Sequence, residues 1–318
     1  MSIGGPGHRP SKNERREAAR EKAKVQREAQ RKKDRRNRVL LQGGLVVVVL
    51  AIVAGVAVII ATAIRPASPG PANMASDGIV FGQDMKVVPS DALAAGAEPQ
   101  ATKTDPNVPN IRIYLDYLCP FCGQFEETNA EQLTSWATSG TVTVEYHPIA
   151  FLTSKSAGTQ YSLRSANAAA CVANYSPNDW PALNNALFAN QPQEGTAGLT
   201  NDQIKKLVAD TGTSEAKKID SCIDDFTYKT WVQNATDRAL GEPIPNSSLE
   251  KLQATPTILV NDKQYTGSIT DAKEFQAFVL STASETYSTS SPTPTSGETA
   301  EPSETPAPSE TPPPTPAP

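Results

Sequence analysis

Two cysteines separated by two residues form the pattern with the clearest chemical meaning in this sequence. Cys119-Pro120-Phe121-Cys122 follows directly on an apolar run at 111–118. If a helix begins there, the first sulfur lies at its N-terminus, where unpaired backbone N–H groups and the helix dipole stabilise a thiolate. Pro120 suits the first helical position because its missing N–H would have no partner there. The spacing therefore predicts thiol–disulfide exchange, with Cys119 as the attacking thiolate and Cys122 as the resolving thiol.

A structural zinc site is one alternative for such a pair, because structural zinc takes four Cys or His ligands. The other ligand candidates are Cys171, Cys222, His8 and His147, with no second Cys-x-x-Cys and no His-x-His pair. This ligand count disfavours zinc, so we expect neither a metal nor a cofactor. A merely structural bridge within the pair is disfavoured to a similar degree.

The first 64 residues predict a membrane anchor. Residues 1–38 carry 14 Lys or Arg and 5 Asp or Glu, whereas residues 39–64 carry no charged side chain. As a helix, this apolar run would reach about 39 Å, enough to cross a bilayer with some tilt. Because basic residues crowd its N-terminal flank, the positive-inside rule places residues 1–38 in the cytoplasm and the chain after Arg65 outside.

A cleaved signal peptide is the alternative, since Ala61-Thr62-Ala63 offers a cleavage pattern. Both the basic segment and the apolar run are too long for a signal peptide, which favours an uncleaved single-pass anchor. The basic segment then acts as a topology signal that also contacts anionic lipid. Nucleic-acid binding by residues 9–38 is disfavoured.

All four cysteines fall on the predicted extracytoplasmic side of the membrane, where disulfides are permitted. Four cysteines allow three pairings. With Cys119 and Cys122 committed to each other, Cys171 and Cys222 remain as a structural pair. Their bridge would close a loop of about 50 residues, for which the chain-entropy model gives roughly 4 kcal/mol at most.

Residues 79–282 predict an α/β domain with helices inserted into its middle, at about 157–250. Alternating or continuous apolar residues predict strands at 79–81, 111–117, 141–146, 257–260 and 264–266. A helix follows the cysteine pair, and a last helix begins near residue 270. Around this domain, a Pro- and Gly-broken linker is predicted at 65–78, and a disordered tail rich in Pro, Thr and Ser at 283–318.

Two motifs resemble the DsbA-like branch of the thioredoxin superfamily. One is Cys-Pro-Phe-Cys-Gly-Gln-Phe-Glu at 119–126, after a strand that carries Asp116, and the other is Ala-Thr-Pro-Thr-Ile-Leu-Val-Asn at 254–261. Over residues 75–282 the chain is similar, more narrowly, to the membrane-anchored thiol:disulfide interchange proteins of actinobacteria. The resemblance implies a thioredoxin fold, with the segment at 157–250 as its inserted helical domain.

The resemblance also implies residues that bind substrate. The Thr255–Pro256 bond would be cis and lie beside the cysteine pair, where the backbone of Thr255 can pair with a substrate chain. A second bridge within the helical insert, here Cys171 to Cys222, also occurs in the actinobacterial branch.

Two departures from the family pattern concern the chemistry of the cysteines. The family often has a buried acidic residue six positions before the first cysteine, where this chain has Ile113. Glu126, one helical turn after Cys122, is a possible proton acceptor instead, although its spacing also suits a solvated helix residue. With Phe121 in place of the His of strongly oxidising relatives, the Cys119 thiolate loses one stabiliser, and we expect a less oxidising pair. A structural role is expected for His147.

The resemblance implies a protein thiol:disulfide oxidoreductase that introduces disulfides into unfolded or reduced exported proteins. A membrane quinone-linked thiol oxidase would reoxidise it. We expect a monomer in the cell membrane, with a cytoplasmic N-terminus, an extracytoplasmic catalytic domain and no nucleic-acid partner. An anchored reductase or isomerase and a non-catalytic envelope scaffold are the alternatives.

Overall fold

The computed structural model describes residues 68–290, apart from 104 and 106, together with scattered residues between 17 and 52. Side chains near the end of the last helix are described up to residue 285. The described part includes the cysteine pair and every other residue that the sequence assigns to the site.

Contacts divide the chain into two compact units, Met1–Pro66 and Ala67–Pro318. The predicted basic segment, the predicted membrane segment at 39–64 and the predicted tail beyond residue 290 lie almost wholly outside the described residues. Within the described part of the chain, no helix is both long enough and apolar enough to cross a membrane. The membrane anchor therefore stays a prediction from the sequence.

A five-stranded mixed sheet forms the centre of the second unit. In sequence order its strands are β1 (Ile79–Phe81), β2 (Asn110–Leu115), β3 (Thr143–Pro148), β4 (Thr257–Val260) and β5 (Lys263–Gln264). The spatial order is β1-β3-β2-β4-β5, in which β2 and β3 run parallel and the other neighbours antiparallel. All five strands lie where the sequence predicts them, within two residues at their ends.

The central strands are buried on both faces because each face of the sheet is covered. On β2, Ile111, Ile113 and Leu115 belong to the main hydrophobic core, whereas Tyr114 joins a smaller cluster with Leu259. Successive side chains of a strand point to opposite faces, so the two clusters lie on the two sides of the sheet. This explains why the strands read as nearly continuous apolar runs.

Seven helices complete the described part of the second unit, besides short 3-10 turns. They are α1 (Pro120–Ser139), α2 (Tyr161–Tyr175), α3 (Trp180–Ala189), α4 (Asn201–Asp210), α5 (Ala216–Asp224), α6 (Lys229–Gly241) and α7 (Ala272–Ser290). Helices α2 to α6 form the insertion between β3 and β4 that the sequence predicts. The Ala-rich α2 is almost wholly buried and contacts each of the other four inserted helices, because its small side chains permit close approach.

A disulfide joins two of the inserted helices. Cys171 on α2 is bonded to Cys222 on α5, with their Cα atoms 5.9 Å apart. Both residues are buried in the main core. Cys119 and Cys122 are free thiols in this structure.

The structure extends the folded domain beyond both boundaries predicted from the sequence. Within the predicted linker, Gly70 donates a backbone hydrogen bond of 2.9 Å to Leu93, and the Asn73 side chain donates one of 2.9 Å to the Ala173 carbonyl. Met74 is buried in the core. At the other end, α7 continues to Ser290, past the boundary at 282, and its buried face contains Phe275, Val279 and Thr282.

On the second face of the sheet, His147 is buried and stacks on Tyr114, with ring centroids 4.2 Å apart. Its Nε2 lies 3.1 Å from Oε1 of Glu145, which also accepts hydrogen bonds from Ser76 (2.6 Å) and Thr102 (2.7 Å). Burial would raise the pKa of Glu145, but its partners, His147 above all, outweigh burial and hold the pKa at about 2. The contacts of His147 are those of a packed residue of the sheet.

Removal of the disulfide should destabilise the fold measurably. Replacing Cys171 and Cys222 together by Ala opens a closed loop with a sequence separation of 51. We expect the free energy of unfolding to fall by about 2–4 kcal/mol, because the unfolded chain regains the freedom that the bridge removes. Urea denaturation followed by far-ultraviolet circular dichroism measures the change.

The matched control repeats both denaturation curves in excess reductant, where the unmodified protein also lacks the bridge. The difference between the two proteins should then nearly vanish. An equally large difference in reductant would mean that loss of packing, and not loss of the bridge, causes the destabilisation.

Candidate active site

The cysteine pair lies at the junction between β2 and α1. Cys119 is the N-cap of α1, with extended backbone angles (φ −75°, ψ 115°), and Pro120 is the first helical residue. The Cys119 carbonyl accepts backbone hydrogen bonds from Cys122 (3.0 Å) and Gly123 (3.2 Å), which close the first turn of the helix. The structure therefore puts the first sulfur at the helix N-terminus that the sequence predicts.

Cys119 is the more acidic of the two thiols. The hydrogen bond from the Cys122 thiol is the main reason why its pKa falls from 9.0 to about 7, although burial acts in the opposite direction. Hydrogen bonds from the Thr255 side chain and from the backbone N–H groups of Phe121 and Cys122 lower the pKa further. At neutral pH a large fraction of Cys119 is therefore the nucleophilic thiolate.

Cys122 is held in the opposite state. Burial raises the pKa of its thiol well above the ordinary value, and the hydrogen bond and charge of Cys119 raise it further. The backbone N–H of Asp116 lies 3.5 Å from its Sγ. In the reduced pair, Cys122 thus keeps its proton while Cys119 ionises.

Asp116 is the acidic residue that the structure places beside Cys122. Its carboxylate accepts backbone hydrogen bonds from Leu118 (2.8 Å) and Leu152 (2.7 Å), so it ties the loop before Cys119 to the loop after β3. Complete burial raises its pKa from 3.8 to about 6. In the sequence, Asp116 stands out only as part of a motif. The signal that could identify it as a site residue is its place as an acidic residue where a buried strand ends, three residues before Cys119.

Glu126 is buried, so the structure excludes the solvated helix residue that its spacing also allowed. Burial raises its pKa from 4.5 to about 8, and the Asn184 side chain offsets this only in part. Neither carboxyl oxygen makes a hydrogen bond of normal geometry with the described residues. At neutral pH Glu126 is therefore mostly a neutral acid, whereas Asp116 is the acidic residue whose backbone N–H contacts Cys122.

Thr255 and Pro256 lie where the resemblance implies. Their peptide bond is cis, and the Thr255 carbonyl oxygen is 3.2 Å from Sγ of Cys119. The protonated Cys119 thiol donates a hydrogen bond to this carbonyl. The Thr255 carbonyl thus brings the chain before β4 into contact with the reactive sulfur.

Gln191, just after α3, is a site residue that the sequence analysis missed. Its Nε2 donates hydrogen bonds to the carbonyls of Cys119 (2.8 Å) and Tyr117 (3.1 Å). A Cβ at Gly123 would lie 2.5 Å from Oε1 of Gln191, so the glycine makes room for this contact. No local pattern reveals a contact between residues 72 positions apart.

Of the residues weighed as zinc ligands, His8 lies outside the described residues, and the others are not brought together. Cys171 and Cys222 are bonded to each other, and His147 contacts Glu145 on the second face of the sheet. Over the part of the chain that is described, no three residues among His, Cys, Asp and Glu are grouped so that they could hold a metal ion.

A family model described as thioredoxin matches residues 104–280, more than half of the chain. The chain belongs to this thioredoxin family. Its fold is accordingly a mixed α/β thioredoxin-like fold with a helical insertion, in which the matched segment contains the cysteine pair, the insertion and the Thr255–Pro256 bond.

Among curated proteins, the chain is similar to the serine/threonine-protein kinase PknE of Mycobacterium tuberculosis. The two are 32% identical over 138 residues, which cover 41% of this chain and 24% of the kinase. The chain therefore spans about a quarter of the length of the curated relatives that it matches.

Three solved structures illustrate the structural likeness. Reduced DsbG of Mycobacterium tuberculosis is 26% identical, with 60% of this chain and 88% of that chain covered and a TM-score of 0.46. Oxidised DsbA of the same species is 26% identical, with 60% and 94% covered and a TM-score of 0.46. Oxidised BdbD of Bacillus subtilis is 19% identical, with 69% and 99% covered and a TM-score of 0.49.

The acidity of Cys119 can be measured directly. Because only the thiolate is alkylated at an appreciable rate, the rate of Cys119 modification by iodoacetamide should rise with pH around a midpoint of about 7. Cys122 should stay unmodified over this range because it is buried and protonated. Mass spectrometry of the modified peptide gives the rate at each cysteine.

The variant Cys122→Ala is the matched comparison. It removes the hydrogen bond that lowers the pKa of Cys119 most, so the midpoint should move upward toward the ordinary value. An unmodified protein whose midpoint already lies at the ordinary cysteine value would contradict the assignment of Cys119 as the activated thiol.

Glu126 should make stability depend on pH. In the folded protein its carboxyl keeps a proton up to about pH 8, whereas an unfolded carboxyl loses it near 4.5. Between these values the folded state binds more protons than the unfolded state, so this group lowers stability by about 1.4 kcal/mol per pH unit as pH rises. Glu126→Gln has no such proton to lose and should be the more stable protein at pH 8.

Urea denaturation at a series of pH values gives the difference between the two stability profiles. Glu127→Gln, at the exposed neighbouring position, is the control and should follow the unmodified protein at every pH. Parallel profiles for Glu126→Gln and the unmodified protein would show that Glu126 is not held protonated by burial.

Proposed function

We propose that this protein is a membrane-anchored, extracytoplasmic thiol:disulfide oxidoreductase that introduces disulfides into exported proteins. The observation that carries the proposal is the asymmetry of the cysteine pair. Cys119 is acidic, lies at a helix N-terminus and faces the Thr255 carbonyl, whereas Cys122 is buried and protonated. A pair that served only as a structural bridge would not need one thiol activated and the other suppressed.

The chemistry begins with the oxidised pair. A client thiolate attacks Sγ of Cys119, the Cys119–Cys122 bond breaks, and Cys122 leaves as a thiolate that takes up a proton. A second client thiolate then attacks the client sulfur of the mixed disulfide, and Cys119 leaves as a thiolate. The client loses two electrons and gains a disulfide, and the pair gains the two electrons. A leaving thiol of low pKa favours the second step.

Asp116 is suited to exchange the proton of Cys122. Its backbone N–H contacts the buried sulfur, its carboxylate charge raises the pKa of Cys122, and its own pKa of about 6 lets the carboxyl hold or release a proton near neutral pH. It gives a proton when Cys122 leaves the disulfide and accepts one when the pair is reoxidised. Glu126, the candidate from the sequence, has a pKa of about 8 and is mostly protonated at neutral pH, so it is less ready to accept the proton of Cys122.

The cellular setting of the proposal comes from the sequence. A basic segment before an apolar run at 39–64 supports a single-pass anchor with the catalytic domain outside the cytoplasm. Clients would then be unfolded or reduced exported chains, and a membrane quinone-linked thiol oxidase would reoxidise the pair. We propose that the protein works as a monomer.

An anchored disulfide reductase or isomerase is the second candidate, and one observation favours it. The pKa of Cys119 is about 7, close to that of thioredoxin and well above the roughly 3.5 of DsbA. A less stabilised thiolate makes the reduced pair less favourable relative to the disulfide, and hence a weaker oxidant.

The reduction potential of the pair separates the two directions of electron flow. The detergent-solubilised full chain is equilibrated with glutathione mixtures, and the reduced fraction is read by alkylation and mass spectrometry. We expect a value between about −180 and −120 mV, which supports a donor of disulfides. A value near about −270 mV would place the protein with the reductases.

Phe121→His is the matched variant. An imidazolium next to Cys119 would stabilise the thiolate, so the potential should become more oxidising. Cys119→Ala tests the non-catalytic scaffold: a scaffold would keep its cellular effect without the attacking thiol, whereas an oxidoreductase loses it. A pair that never titrates as a dithiol would overturn both catalytic candidates.

A further inference from the structure

A groove runs along α1 on the side that faces α3, and it begins at Pro120, the residue after Cys119. Gly123 and Gln191 lie at its end nearest Cys119, and Phe188 lines its wall. Phe188 is fixed there by its contact with Tyr117, at a ring-centroid distance of 5.1 Å. The groove is thus continuous with the loop that carries the reactive sulfur.

The exposed rim of the groove is acidic. Glu127 and Glu131 line it, are both exposed and lie one helical turn apart on α1. Like charges at this spacing destabilise a helix slightly. Of the ion pairs found in the described part of the chain, none involves either residue, and no lining residue of the groove is Lys or Arg.

A buried acid in the same groove is an independent sign of a missing partner. Glu126 lines the groove, is 4% exposed, and neither of its carboxyl oxygens makes a hydrogen bond of normal geometry among the described residues. Buried polar groups without partners are rare in folded proteins. Two exposed carboxylates and one buried acid without a hydrogen-bond partner therefore line a groove whose own residues include no Lys or Arg.

We propose that this groove binds the client polypeptide next to its reacting cysteine, and that it selects clients with a Lys or Arg there. The proposal rests on the proposed function and names its substrate class.

The proposal also fixes the spacing between the client cysteine and its basic residue. Glu127 and Glu131 lie about 12 and 18 Å along α1 from Cys119, at 1.5 Å per residue. An extended chain covers that span in about four to five residues, at roughly 3.4 Å each.

A pair of redox-inert peptides tests the groove without relying on catalysis. Each has Ser in place of the client cysteine, and one has Lys four and five residues away from it where the other has Gln. Versions with the substituted positions before and after the Ser cover both chain directions. Fluorescence anisotropy with the full chain at low salt measures the dissociation constants.

We expect one Lys peptide to bind about three- to tenfold more tightly than its Gln partner, the range expected of two exposed carboxylates. Glu127→Gln/Glu131→Gln should abolish this preference, and salt at about 1 M should reduce it. Equal binding of the Lys and Gln peptides would overturn the proposal. So would occupation of the groove by the chain's own basic segment, because the peptides would then fail to bind.

Asp237→Asn/Glu250→Gln is the matched control. It removes the same two charges from exposed positions that do not line the groove, so the preference should persist. A preference that survives in the groove variant, or disappears in this control, would show that overall charge and not the groove selects the peptide.

The same peptides with their cysteines restored separate this proposal from the proposed function. If the Lys preference holds in binding but no peptide exchanges thiols with Cys119, the catalytic function fails and the groove survives. If both cysteine peptides are oxidised at equal rates and the inert peptides bind equally, the function survives and the groove proposal fails.

Discussion

The arrangement of the site depends on one buried carboxylate at the end of β2. Asp116 accepts the backbone N–H groups of Leu118 and Leu152, and so it holds the active-site loop against the loop that follows β3. Its own N–H contacts Cys122, while the chain turns directly into the N-cap at Cys119. A charge removed from water is stabilised only by such hydrogen bonds, which makes the loop geometry and the carboxylate depend on each other.

The sequence predicts the parts of the fold that local patterns determine. Strand alternation around Ile111 and Ile113, the Cys-Pro-Phe-Cys helix start and the Ala-rich helix with Cys171 all rest on residues close together in the chain. The predicted end of β2 lies too far along the chain, because Asp116 leaves the strand. Its side chain accepts a hydrogen bond from the N–H of Leu118, two residues on, which turns the backbone. Such local hydrogen bonding can be inferred from the sequence, but here an apolar pattern that continues through Tyr117 favours a longer strand.

The features of the site that the sequence does not reveal depend on contacts between distant parts of the chain. Gln191 reaches the Cys119 carbonyl from the helical insertion, and Glu126 is buried because Asn184 and its neighbours on α3 cover it. Neither position differs, in its local sequence, from a solvated polar residue. Tertiary packing decides whether a polar side chain is buried. From the sequence, Glu126 could therefore be named as a candidate proton acceptor, but its burial and its raised pKa could not be predicted.

The acidity of Cys119 depends on the hydrogen-bonding groups around its sulfur and on the lack of a charged side chain at the neighbouring position 121. Phe121 is exposed and uncharged, so no neighbouring imidazolium stabilises the thiolate. The stabilisation comes instead from the Cys122 thiol, from Thr255 and from the N–H groups at the start of α1, and burial opposes it. Because the largest of these contributions belongs to the partner thiol, it disappears when the pair is oxidised. A Cys119 thiolate exists only in the reduced pair, so each contribution that stabilises it favours the reduced form over the disulfide.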